Sequence, residues 1–407
     1  MSDRMIYSID IGNSKVNVMV GCVDNLTVMG LGSFIYQDFG SPNFIQNGII
    51  TDMVEAKQKI KNCLLQAQIQ ADCTAGGVII NCSGININYL AHSVEQQING
   101  KTVTTEIIAN MEQQAKKHVQ EYHDHEIVHF NTQDYLIDGM YIAKNPLSIM
   151  CKNIKGNYNL VLAQTMLLAN LKQLIPTDFT VETIIPTAIL SSQAALNAVQ
   201  FEQGACCIDI GYSTTNLAVY KNNVLQFYLS IPFGGSNITA AIANRFKLSM
   251  EVAEDIKVTK GLCRKSKDKF DDGNFQVVDY SGVIKTISKS VLAEIISTKL
   301  KELFNYINLQ IVNAKLSNTL FRGFVLTGGV ANTDGICSLA EDILNNSVVL
   351  SRLEYNGDYR ELVNQNVNAT SIGGLIYAKK MMEQNYLVSV SQVSSLWANI
   401  KKRFILK

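Results

Sequence analysis

The chain has 407 residues, 47% hydrophobic and 17% charged, which suffices for two or more domains with buried cores. Its formal net charge is zero, which removes any overall electrostatic attraction to nucleic acid. Nine cysteines without a C-x-x-C pair argue for reduced thiols and a cytosolic setting, the opening Met-Ser-Asp-Arg lacks the form of a signal peptide, and no run of about 18 apolar residues could span a bilayer.

In chain order, the first predicted element is a hairpin. Met5 to Val23 holds two β-prone runs around the turn of Ile9-Asp10-Ile11-Gly12-Asn13-Ser14. A strand-like run follows, Leu26 to Ser33, then a Gly/Pro/Asn loop over 40–48. Met53 to Ala71 has helical spacing, with Val54, Ile60, Leu64, Leu65 and Ile69 expected on one buried face. Val78 to Cys82 reads as a buried strand, and the strand–helix–strand order points to an α/β domain. From about Ile85 to Asn159, short strand-like runs surround one polar helix, Thr105 to Tyr122, which reads as an inserted subdomain. All five histidines lie there (His92, His118, His123, His125 and His129). The charges around His123-Asp124-His125-Glu126 favour a solvated loop over a metal site, whose other ligands would have to come from elsewhere. Tyr158 to Ala163 and Phe179 to Ile185 read as strands around a helix, Met166 to Leu174, and Thr187 to Val199 as a small-residue helix.

The second half then restarts as the first began. Ile208-Asp209-Ile210-Gly211-Tyr212-Ser213 repeats the I-D-I-G-x-S pattern, and Asn216 and Val219 echo Asn17 and Val20 at the same offsets. Such a repeat predicts two similar domains, each presenting one hairpin to a shared cleft. Backbone N–H groups in a small-residue turn suit phosphate oxygens. Asp10 and Asp209 suit Mg²⁺ held through water, since that ion takes few carboxylates beside phosphates. The pair is expected to clamp a Mg-nucleotide from both sides. Beyond Phe233-Gly234-Gly235, helices are expected over Asn237 to Phe246, Ser249 to Lys257 and Val291 to Leu316, with a charged loop, Arg264 to Asp272, between the last two. A strand runs into Gly328-Gly329-Val330, helix Ile336 to Leu344 and short strand Ser347 to Leu350 follow, and Asn368 to Lys380 closes the body as a helix.

Five elements in fixed order resemble the actin/Hsp70/sugar-kinase superfamily. They are the first I-D-I-G-x-S, the small helix after Ile185-Pro186, the second I-D-I-G, Leu326-Thr327-Gly328-Gly329, and Thr370-Ser371-Ile372-Gly373-Gly374. Ala253-Glu254-Asp255-Ile256-Lys257 resembles the A-E-x-I-K segment on the adenosine side of that fold. Within the superfamily the chain looks most like the FtsA family of bacterial actin-like cell-division proteins, through GIITDMVEAKQKI, INCSGININ, VLTGGVANTDGI and ATSIGGLIYA. The resemblance implies an α/β, actin-like (ribonuclease H-like), two-lobed ATPase fold holding Mg-ATP between its lobes. Subdomain 1A would span 1–84 and 164–203, with inserted SHS2-like subdomain 1C at 85–163 and a return to 1A at 373–382. Subdomain 2A would span 204–236 and 307–372, and 2B 237–306. The nucleotide would meet Asp10, Gly12, Asn13, Ser14 and Lys15 from the first turn, and Asp209, Gly211, Tyr212, Ser213 and Thr214 from the second. Glu254, Lys257, Gly328, Gly329 and Val330 would complete its site. Tyr212 and Ser213 replace glycines of the family's second phosphate loop, which puts its backbone geometry in question.

Hydrolysis in such folds implies a polar side chain near the Pro186 position to orient water. Here Ile184 and Ile185 stand there, with Glu182 nearby, so binding with slow or negligible turnover is expected. After a polar linker, 383–392, residues 393–407 form a separate unit. Val393, Leu396, Trp397, Ile400 and Phe404 share a helical face, and Lys401, Lys402, Arg403 and Lys407 add four positive charges without an acid. Such a helix suits the boundary of an anionic membrane. The resemblance further implies filament formation, tethering of FtsZ at the inner face of the cytoplasmic membrane, recruitment of later division proteins through 1C, and an FtsZ peptide site on 2B that includes Lys289. The alternative from another class is a small-molecule (sugar-type) kinase of the same superfamily.

Overall fold

The computed structural model describes residues 5–36, 44–74, 76–119, 122–263, 273–279 and 281–383. The charged loop, the linker beyond residue 383 and the cationic tail lie outside them.

The first hairpin pairs β1 (Met5–Ile11) with β2 (Lys15–Cys22), with Asp10 opposite Asn17, and β3 (Thr27–Ile35) follows antiparallel to β2. The two-residue strands β4 (Ile45–Gln46) and β5 (Ile49–Ile50) lead to α1 (Met53–Ala71). Asp52 caps that helix by accepting the Val54 and Glu55 N–H groups. Next comes β6 (Gly77–Cys82), parallel to β1.

The buried face of α1 differs from the expectation. Ile60 and Leu64 are buried, but Val54 and Ile69 are 80% and 79% exposed and Leu65 is exposed too. Ala56, Cys63, Ala67 and Ala71 complete the inward face. The cause is close approach: a Cβ on Gly32 of β3 would lie 1.9 Å from the Cys63 carbonyl oxygen. The helix rests almost on strand backbone, so its contact face is small-residue rather than large and apolar.

The insert is an antiparallel sheet in the order β7-β10-β8-β9 with one helix. Its elements are β7 (Ile87–Thr102), α2 (Thr105–His118), β8 (His125–Ile137), β9 (Tyr141–Ala143) and β10 (Met150–Gln164). Three of these strands are long, not short, and α2 ends four residues before Tyr122. Met111, Ala115, Ile154, Tyr158 and Leu160 build a separate core. After α3 (Thr165–Gln173), strand β11 (Thr180–Pro186) adds beside β6 and completes a sheet ordered β11-β6-β1-β2-β3. The small-residue segment is two helices, α4 (Thr187–Ala195) and α5 (Ala198–Gln203), because Asn197 and Gln200 form a capping box that starts a new helix.

The second half rebuilds the same sheet. β12 (Ala205–Ile210) and β13 (Thr215–Lys221) form the hairpin, with Asp209 opposite Asn216, and β14 (Val224–Ile231) follows. Helices α6 (Gly235–Phe246) and α7 (Met250–Lys260), hairpin β15 (Asn274–Val278)–β16 (Ile284–Ser288) and α8 (Lys289–Asn313) form a lobe on it. Then β17 (Phe324–Thr327), α9 (Ile336–Leu344) and β18 (Val348–Leu350) give the order β14-β13-β12-β17-β18. Each half therefore has an antiparallel hairpin-plus-one on one side of its central strand and two parallel strands on the other. Strand β12 is buried on both faces, with Cys206, Ile208 and Ile210 facing the second lobe's core and Ala205 and Cys207 a core shared with the first half. The chain closes with a helix over 369–383.

Gly32→Ala is expected to lower stability by about 1–3 kcal/mol through overpacking against α1. Ile69→Ser should stay within about 0.5 kcal/mol. Thermal or urea unfolding of both variants checks this, and a costly Ile69→Ser would restore the large-apolar face.

Candidate functional site

The two hairpin turns face each other across a cavity of about 370 Å³. Each turn closes the same way, with the Gly12 N–H on the Lys15 carbonyl at 2.9 Å and the Gly211 N–H on the Thr214 carbonyl at 2.9 Å. The cavity gathers every residue named for the nucleotide. From the first turn come Asp10, Gly12, Asn13, Ser14 and Lys15; from the second, Asp209, Gly211, Tyr212, Ser213 and Thr214. Glu254 and Lys257 of α7 and Gly328, Gly329 and Val330 after β17 also line it.

Both carboxylates sit at the ends of central strands with their orientation set by neutral donors. Asp10 Oδ1 accepts from Asn81 Nδ2 at 2.8 Å, and Asp209 Oδ2 from Thr370 Oγ1 at 3.2 Å. Asn81 is fully engaged: its oxygen accepts the Ile11 N–H at 2.7 Å, and its amide also reaches Thr187 Oγ1 at 3.1 Å. Thr187 in turn donates to the Cys82 carbonyl at 3.0 Å. Burial raises the Asp10 carboxyl, and Lys15 partly offsets this. For Asp209, burial and then the charge of Asp10 push its pKa up to about 6. The Lys15 ammonium bonds the Val367 carbonyl at 2.5 Å and Asn368 Oδ1 at 3.0 Å; burial lowers its pKa while Asp10 and Asp209 raise it. One cation thus stands near two carboxylates.

On the far wall Lys257 and Glu254 pair at 2.6 Å, both nearly buried. The Thr239 hydroxyl bonds Glu254 and accepts from Lys257 at 2.9 Å, and Lys257 also reaches the Gly235 carbonyl at 3.2 Å. Burial lowers the Lys257 pKa, against the charge of Glu254. These contacts hold the pair rigidly before anything binds.

Tyr212 and Ser213 both keep negative φ, so the turn does not use the backbone conformation that their Cβ atoms would disfavour. Close approach falls on another glycine: a Cβ on Gly234 would lie 2.6 Å from the carbonyl oxygens of Gly211 and Tyr212. The Ser213 hydroxyl lines the cavity, is buried, and has no hydrogen-bond partner among the described residues. A buried hydroxyl of this kind suits an anion's oxygen. With the turn amides, Lys15 and the two acids, the donor set fits a polyphosphate with a divalent cation.

Several residues of the site were not named for it from the sequence, notably Asn81, Thr187, Asn366 and Val367, the last contributing its backbone carbonyl. Asn81 carried one signal, an amide ending the apolar run Val78 to Ile80, where a buried polar group needs partners. Glu182 lies on the exposed side of β11 and is not part of the cavity wall, while Ile185 is buried. Lys289 is elsewhere, half-buried as the first residue of α8, its N–H on the Gly273 carbonyl at 3.1 Å. The membrane residues Leu396, Trp397, Ile400, Lys401, Lys402, Arg403 and Phe404 lie outside the described residues.

Two family models match: Cell division protein FtsA over residues 206–373, and the SHS2 domain inserted in FTSA over residues 84–162. The chain belongs to the FtsA family. FtsA of Borreliella burgdorferi is 26% identical over 402 residues, spanning 96% of this chain and 95% of that protein. Escherichia coli K12 FtsA is 26% identical over 392 residues, spanning 93% and 91%. Among solved structures, a chain of the PilM–PilN type IV pilus biogenesis complex superposes with a TM-score of 0.65 at 16% identity, covering 93% of this chain and 98% of its own. MreB5 of Spiroplasma citri bound to ADP superposes at 0.58 and 15%, covering 93% and 98%. This FtsA-family chain therefore has the actin-like fold of a cell-division protein.

Without divalent cation, stability is expected to fall as pH rises from about 4 to about 6, because folded Asp209 keeps its proton above the usual carboxylate range. The loss is at most about 3 kcal/mol. Asp209→Asn should flatten that limb in a pH series of thermal unfolding; an unchanged slope would assign it to another group.

Proposed function

We propose that the cavity binds ATP with Mg²⁺, and that the bound form drives assembly of this FtsA-family protein into filaments that tether FtsZ to the inner face of the cytoplasmic membrane. The observation that carries the nucleotide reading is the facing pair of turns closed by the same hydrogen bond, each with its carboxylate, around Lys15 and the Ser213 hydroxyl, which has no partner among the described residues. Asn13, Ser14, Ser213 and Thr214 would hold phosphate oxygens, with Asp10 and Asp209 holding the metal through water. Glu254, Lys257 and the Gly328–Val330 turn would hold the nucleoside. The ADP named with MreB5 accords with this reading. When bound, Mg²⁺ would supply charge neutralisation between phosphates and carboxylates.

Turnover is expected to be slow or negligible. Orienting a water needs a polar group with bonding capacity to spare. Beside Asp10, however, Asn81 and Thr187 already bond protein partners, and Ile185 is apolar. Asp10→Asn and Asp209→Asn should each weaken Mg-ATP binding more than tenfold in calorimetry. EDTA should do the same to the parent, and retained affinity in both variants would dismiss the metal role.

The two repeated sheets correspond in this reading to 1A and 2A, the insert to 1C with its later division partners, and the α6–α8 lobe to 2B with Lys289 in the FtsZ peptide site. Residues 393–407 would be the peripheral anchor, since one amphipathic helix binds weakly and a filament multiplies it. Among the described residues no helix is long and apolar enough to cross a membrane. Sedimentation with anionic liposomes should pellet the full chain, more so with Mg-ATP, but not a chain ending at Gln392. Lys289→Glu should pellet alone yet carry less FtsZ; equal pelleting of the truncated chain, or undiminished FtsZ, would remove the respective assignment.

A further inference from the structure

A hydrogen-bond chain of fixed direction leads from the cavity wall to the root of the insert. The Gly84 N–H donates to Ser230 Oγ at 3.0 Å, and Ser230 donates its only proton to Asn216 Oδ1 at 2.7 Å. Tyr228 OH supports the same oxygen at 3.3 Å. On its other side, Asn216 Nδ2 donates to Thr214 Oγ1 at 3.3 Å. Thr214 thereby accepts, and its own proton remains to be given. Thr214 belongs to the second turn and lines the cavity, so that proton is placed for an oxygen of a bound anion.

The root at Gly84 is a constrained place. Its φ is +105°, and a Cβ there would lie 2.3 Å from the Asn47 carbonyl oxygen. Just beyond it the insert rests on β14, the edge strand that carries Ser230. Tyr89 OH donates to the Gln226 carbonyl at 2.6 Å, and Asn159 Nδ2 to the Leu225 carbonyl at 2.7 Å. The insert, chain-continuous with the first half, is thus bonded to the start of β14 at Leu225 and Gln226, and its root at Gly84 to the other end of that strand, where Ser230 stands opposite Asn216 beside the second turn.

We propose that Asn216 and Ser230 are positioning residues that couple occupancy of the cavity to the insert: an anion accepting from Thr214 strengthens the whole chain down to the Gly84 amide. Hydrogen bonds in series polarise one another when all run in one direction. An anionic acceptor at the end makes the terminal bond charge-assisted. By linkage, what anchors the insert's root must also favour the bound anion. This rests on the nucleotide reading above and goes beyond it by naming a readout, the face with which the insert meets β14.

The test is amide hydrogen exchange with ATP and MgCl₂ on the full chain, compared with Ser230→Ala and the conservative Ser230→Thr. Ser230 does not itself line the cavity. In the parent, nucleotide should slow exchange at least about fivefold, the lower end of usual couplings, in peptides covering both 209–216 and 83–92. Ser230→Ala should keep the slowing at 209–216 and lose it at 83–92, and Ser230→Thr should restore it. Undiminished slowing at 83–92 in Ser230→Ala would overturn the coupling while leaving nucleotide binding intact. Absence of ATP binding by calorimetry in the parent would remove the nucleotide reading and this inference together.

Discussion

Asp10, Asp209 and Lys15 are withdrawn from water in one cleft, whose far wall holds the nearly buried Glu254–Lys257 pair, and much of the structure serves to make that tolerable. Asp10 and Asp209 end the central strands of two sheets, and neither forms a contact ion pair among the described residues; Asn81 and Thr370 bond them instead. Lys15 is held by Val367 and Asn368, next to the closing helix, so its charge acts on both acids while its hydrogen bonds tie the cleft floor to the end of the fold. Buried charge of this kind is costly without a ligand. In the proposed reading a divalent cation with phosphates would answer it on both sides, the metal at the acids and the anion at the lysine and the turns.

The two halves share one sheet order but spend it differently. In the first, the parallel strand β6 brings Asn81 to the cleft and then leads out into the insert. In the second, the hairpin is followed by α6, whose start packs against Tyr212, and α7, which carries Glu254 and Lys257. Repetition built the two facing turns; the additions gave one side the Glu254–Lys257 wall of the cavity and the other the insert. The insert sits on β14 of the second half's sheet and not on the first sheet alone.

Much of this was readable from local pattern. Both hairpins declare themselves by a repeated I-D-I-G-x-S with matching Asn and Val downstream, and each turn is short enough that its hydrogen bonds are local. The helix over 53–71 was placed correctly for the same reason, its Asp52 cap and Asp72 end being near neighbours in sequence. Its inward face was not, because Gly32, about thirty residues away, decides how near the strand comes. The α4–α5 break came from a capping box inside a run of helix formers, and the insert's long strands from pairing between distant segments that weak local alternation did not reveal.

By itself, the sequence determined the order of elements, the duplicated small-residue turns, the cavity residues that α7 and Gly328–Val330 contribute, and membership of the actin-like superfamily, because these depend on spacing and turn chemistry within short windows. Only the tertiary structure decided that Asn81, Thr187 and Val367 reach the same cavity, that Tyr212 and Ser213 need no left-handed backbone while Gly234 takes the close approach, and that Ser230 links the insert to the second turn. The physical reason is separation: Lys15 and Asn368 are 353 residues apart and Gly84 and Ser230 are 146 apart. No pattern along the chain encodes a hydrogen bond whose partners meet only after two sheets have folded against each other.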